Sequence, residues 1–132
     1  VRLAALVTIL LLMSLSADAR GRERLMDIAL RDARARLVAL GYPEAATADV
    51  SGVQLLEMPG RMPCSGQLAL GCFAVYDVPV GKGVREYGVM AYARIGSMTG
   101  RQVHKVLIHE WTHALLWKLR DPTWEIHDKR FR

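Results

Sequence analysis

The segment "TGRQVHKVLIHEWTHALLWKLRDP" constrains this chain more than any other. Val103, Leu107, Trp111, Ala114 and Leu115 recur at three- and four-residue steps, the spacing of one helix face. Val106, Ile108, Leu116 and Trp117 spread apolar character round the remaining faces. A helix apolar nearly all round is a buried helix. Thr99 or Gly100 is placed to start it. Asp121-Pro122 is placed to stop it, because the residue before a proline avoids the helical region.

A buried helix needs neighbours to cover it, and the rest of the chain supplies them. "ARGRERLMDIALRDARARLVALGYP" reads as a first helix, with Met26, Leu30, Ala33, Leu37 and Leu40 on its apolar face. Gly41 and Pro43 mark its end. Three strands follow, at about Val53 to Met58, Leu70 to Val78 and Arg85 to Ile95. Glycines bound them, and Val, Tyr and Phe populate them. "PVGKGV" is a turn by composition. The order α-β-β-β-α predicts an α+β domain, with a small, mainly antiparallel three-stranded sheet and a central buried helix. At 132 residues and 52% hydrophobic, the chain can bury one core.

The opening has another character. Arg2 is followed by an almost wholly apolar run from Leu3 to Leu15, then by Ala17-Asp18-Ala19. A charged start, a short apolar stretch and small residues at a cleavage position are the layout of a secretory signal. The expected processing point is before Arg20, giving a signal over residues 1–19 and a domain over 20–132. The apolar run is short for a bilayer span of about 20 residues, so membrane attachment is expected only through an uncleaved signal. Val1 is what a GUG start read literally would give, which fits a bacterial or phage origin. The chain has two cysteines, Cys64 and Cys72. An even count in an oxidising compartment predicts a disulfide, consistent with a secreted or periplasmic protein.

The chemistry lies in the buried helix. His109 and His113 are four residues apart and so share a face. Two imidazoles aimed at one spot can share a cation, and neutral imidazole is a common zinc ligand. Glu110, beside the first of them, can reach a water on that metal. H-E-x-x-H is the zinc protease motif, and this mechanism explains its spacing. A catalytic zinc ion takes three protein ligands and leaves one position open. His127 is the expected third, because the 13 residues after His113 suffice to end the helix and bring the chain back. Glu125 and Asp128 are alternatives, and Asp128 could instead orient a histidine. Tyr87, Tyr92 and Arg101 are candidate donors to a developing oxyanion. His104, on another face, reads as structural. Trp111, Trp117 and Trp124 read as core or pocket wall.

"HEWTHALLWKLRDPTWEIHDKRF" resembles the SprT-like family of zinc metallopeptidases. These carry H-E-x-x-H on a helix, then a loop, then a third histidine in an H-G-x-x-F arrangement. The matching positions are His109, Glu110, His113, His127 and Phe131, while Asp128 stands where the family has glycine. The strong resemblance covers about the last 25 residues. It implies a minimal zincin-like scaffold with one zinc ion. It also implies that the strand before the active-site helix, about Tyr87 to Ile95, is the edge that holds an extended substrate. The zinc site and the scaffold are what the resemblance carries over; a DNA-linked substrate is not.

The reading is therefore an exported zinc metallopeptidase acting on a peptide or protein. Its rivals are a zinc-stabilised binding module without activity, and a zinc amide hydrolase acting on cell-wall peptides. A net charge of +5 would attract nucleic acid. The cations are scattered, however, and no nucleic-acid reading motif accompanies them.

Overall fold

The computed structural model describes residues 2–127, with side chains from residue 19 onward. Asp128 and Phe131 lie outside the described residues, as do the side chains of the apolar run Leu3 to Leu15. The elements are helix α1 (Arg2–Ala39), strands β1 (Val53–Met58), β2 (Met62–Cys64), β3 (Gln67–Ala69), β4 (Gly71–Val80) and β5 (Gly83–Ala93), and helix α2 (Gly100–Lys118). Short 3-10 turns cover Pro43–Ala46 and Ile95–Ser97. The class is α+β, as expected. Among the described residues no helix is long and apolar enough to cross a membrane.

Both helices begin or end where their local chemistry dictates. Gly41 closes α1 at φ 99°, a left-handed conformation suited to glycine. The amide of Tyr42 then reaches the carbonyl of Leu37 at 3.0 Å and that of Gly41 reaches Val38 at 3.1 Å, so the last carbonyls are satisfied. At the start of α2, Thr99 Oγ1 accepts from the amide of Gln102 at 3.2 Å, and Gln102 Oε1 accepts from the amide of Thr99 at 2.9 Å. This reciprocal box satisfies two amides that the helix leaves without partners.

The three-stranded sheet has the order β1-β5-β4. β4 and β5 pair antiparallel from Gly71↔Tyr92 to Val80↔Gly83, and β1 pairs parallel with β5. This corrects one expectation. The strand before α2 is not an edge, because β5 is the central strand and pairs with both β1 and β4 over Gly88–Tyr92. The edges are β1 and β4, and β4 is the one that lines the cleft described below. β2 and β3 form a separate antiparallel hairpin that sequence patterning did not reveal. Each strand has three residues and Pro63 interrupts the run, which demotes it as a strand signal. Its turn is nonetheless written in Ser65-Gly66, with φ 50° and 80°, the positive pair that a tight hairpin requires.

Both helices pack on one face of the sheet. Met26, Ala29, Ala33 and Leu37 of α1 are buried against Val103, Leu107, Trp111, Ala114 and Leu115 of α2, with Phe73 and Met90 from the sheet. The small Ala29 and Ala33 let the helices approach closely. Leu40 leaves the expected α1 face and is 40% exposed, because it lies past the helix end. His104 Nε2 sits 3.0 Å from Asp32 Oδ2, tying the two helices at the surface.

Cys64 and Cys72 are bonded, as expected, and join the β2–β3 hairpin to the start of β4. A disulfide is compatible with an extracellular location. Replacing both cysteines by serine is expected to cost about 2–3 kcal/mol, from the short loop released in the unfolded chain. Urea denaturation of the two forms measures it.

Candidate metal centre

α2 carries His109 and His113 one turn apart, both part-buried, with their Nε2 atoms 3.1 Å apart. Two nitrogens bound to one zinc ion at about 2.0–2.1 Å stand about 3.3 Å apart in tetrahedral geometry. The pair is therefore already at the separation that one ion requires.

His127 reaches the same spot through the end of α2. Arg120 turns the chain with φ 56°, and the amide of Asp121 bonds the carbonyl of Leu116 at 3.0 Å. Asp121 Oδ1 then accepts from the amide of Thr123 at 2.8 Å, so Asp121-Pro122-Thr123 folds the chain back. Trp124 sets its ring edge-on to Phe73 at 5.8 Å, which fixes the returning segment to β4. His127 then stacks on His109 at a centroid distance of 5.1 Å and lies 5.0 Å from His113. One ligand atom from each of the three histidines lies within 4.8 Å of the others, so the group could hold a metal ion. Glu125 lines the neighbouring cleft but does not join the group.

His113 Nδ1 bonds to the carbonyl oxygen of Trp124. A carbonyl only accepts, so Nδ1 carries the proton and Nε2 keeps its lone pair for a cation. Burial lowers the pKa of His113, against the Trp124 bond that raises it, and the nearby His127 lowers it further. A neutral imidazole is the form a metal needs. Three imidazoles suit zinc better than magnesium or calcium, which prefer oxygen. The residues present therefore fit a transition metal of the zinc kind.

Glu110 is 5% exposed, an unusual place for a carboxylate. Burial pushes its pKa up to about 8, opposed by the amide of Phe73, which donates to it from β4. Gly71 makes this approach possible. A Cβ there would stand 2.8 Å from Glu110 Oε1 and 2.7 Å from Val106 Cγ1. Gly71→Ala is therefore expected to destabilise the fold by about 1–3 kcal/mol through overpacking. Thermal unfolding measures it; an unchanged midpoint would mean that β4 moves aside freely.

A cleft opens between α2 and β4, with Phe73, Glu110 and Trp124 beside the three histidines. None of the expected oxyanion donors lines it. Tyr92 is buried in the core, Tyr87 stacks under Arg85 at 5.8 Å, and Arg101 is exposed at the start of α2. Sequence reasoning missed the Phe73 amide and the Trp124 carbonyl, since backbone groups leave no mark in composition. Comparison with protein-family models, curated proteins and solved structures finds no significant match for this chain.

Proposed function

We propose that this protein is an exported zinc-dependent peptidase of the SprT-like zincin kind, with His109, His113 and His127 as ligands and Glu110 as general base. The observation that carries the reading is Glu110: a carboxylate buried beside the three histidines, yet lining an open cleft. A zinc ion bound there would supply Lewis acidity and lower the pKa of a water toward about 7. Glu110 would take the proton of that water and pass it to the leaving amine.

The cleft also favours an extended substrate. The outer edge of β4 has no strand partner among the described residues, and it runs past the histidines. A peptide laid along it would gain backbone hydrogen bonds, with the scissile bond opposite Phe73 and Glu110. A purely structural zinc site closes its fourth position with protein. An open cleft and a buried base serve no purpose in such a site.

The test is a metal and activity assay on the purified protein. It should hold one zinc ion and hydrolyse unfolded proteins. A chelator should abolish this and added zinc restore it. Hydrolysis confined to cell-wall peptides would favour the amide-hydrolase alternative. A protein that holds no zinc would refute the reading.

A further inference from the structure

The cleft is unevenly charged along its length. Lys105 lies one turn before His109 on α2, so Lys105, His109 and His113 follow each other at four-residue steps on one helix face. One turn is about 5.4 Å, and Lys105 lines the same cleft as His109 and His113. Arg61 also lines the cleft, from the segment between β1 and β2, three residues before Cys64, whose bond to Cys72 ties this segment to the residue after Gly71, and Gly71 packs against Val106, next to Lys105 in the chain. Both cations are exposed, and neither has an ion-pair partner among the described residues.

The opposite end carries the opposite sign. Asp77 and Glu86 stand directly across from each other on β4 and β5 and line the cleft there. Asp77 is four residues beyond Phe73, about 13 Å along the strand. A substrate carboxylate is thus attracted to one end and repelled from the other.

We propose that Arg61 and Lys105 form a carboxylate-binding subsite, which makes the cleft select peptides bearing an acidic group on the Gly71 side of the histidines. The inference rests on the peptidase reading for its consequence, and on the charge layout for the binding itself. Two substrate groups share the required chemistry: an aspartate or glutamate side chain, and the free C-terminal carboxylate of a peptide. Arg61 and Lys105 can donate charge-assisted hydrogen bonds to either.

Binding and turnover are tested separately. Four peptides of one sequence carry Glu or Gln at an internal position, each with a free or an amidated C-terminus. Their Kd values are read by Trp fluorescence on the zinc-loaded Glu110→Gln protein, which holds substrate without cleaving it. A peptide with the recognised carboxylate should bind about tenfold tighter than the neutral peptide. Adding Arg61→Gln and Lys105→Gln should reduce that ratio below about twofold, with circular dichroism confirming an intact fold. The pattern across the four peptides tells a side chain from a terminus. Equal Kd values for all four, or a preference that survives the double substitution, would overturn the subsite. The kcat/KM values of the Glu110 form on the same peptides then separate the two claims. Preferential binding without any cleavage defeats the peptidase reading and leaves the subsite standing. Cleavage of all four at equal kcat/KM, with equal Kd, does the reverse.

Discussion

Glu110→Gln is expected to lower kcat by roughly 10²–10⁴, the contribution of a positioned general base, while the protein still holds one zinc ion. The amide keeps the size of the carboxyl and can still accept from the Phe73 amide, so the fold has no reason to change. It cannot take a proton from water. Zinc content by mass spectrometry and hydrolysis rates on the same preparation check this. A variant that cleaves at the parent rate would remove Glu110 from the mechanism.

The same substitution has a second readout that needs no substrate. In the metal-free protein, burial raises the Glu110 pKa from its ordinary 4.5 to about 8. A carboxyl whose folded pKa is raised binds its proton more tightly when folded. Its contribution to stability is full below about pH 4.5 and is lost as pH rises through about 8. Between those limits the slope reaches about 1.4 kcal/mol per pH unit. Metal-free parent protein should therefore lose stability over this window relative to Glu110→Gln. Parallel slopes for the two forms would mean that the carboxylate is solvated.

His113→Ala should weaken zinc binding by more than the roughly 10–100-fold typical of outer-shell changes. His113 has two roles. Its Nε2 faces His109, and its Nδ1 bonds the Trp124 carbonyl that helps hold the returning segment. Losing it removes one ligand and loosens the segment that carries His127. His127→Ala removes a ligand alone, so its effect should be smaller. Competition with a zinc chelator of known affinity measures both. A His113→Ala protein with the parent's affinity would sink the three-histidine site. A His127→Ala protein with full affinity and activity would displace His127 as the third ligand.

Much of this layout is legible in the sequence. Local rules wrote the two helices: apolar spacing placed the face of α2, and Gly41 marked the end of α1. The disulfide followed from the cysteine count, and the histidine pair from four-residue spacing. For His127 the sequence offers a sufficient length of chain and a family resemblance but no path, because a loop's path depends on what it packs against. Here that is Phe73, which meets Trp124 edge-on.

By itself the sequence determined that a buried helix would carry two imidazoles on one face and a carboxylate beside them, because helical periodicity is a property of the chain alone. Only the tertiary structure decided that β4, and not β5, is the edge strand beside the histidines. Strand order depends on which backbone groups pair across distant segments, and β1 returns to take the far side of β5. The tertiary structure also decided that the Phe73 amide would meet Glu110 and the Trp124 carbonyl His113. Every residue except proline offers the same amide, and every residue the same carbonyl, so only the fold can choose which of them does chemistry.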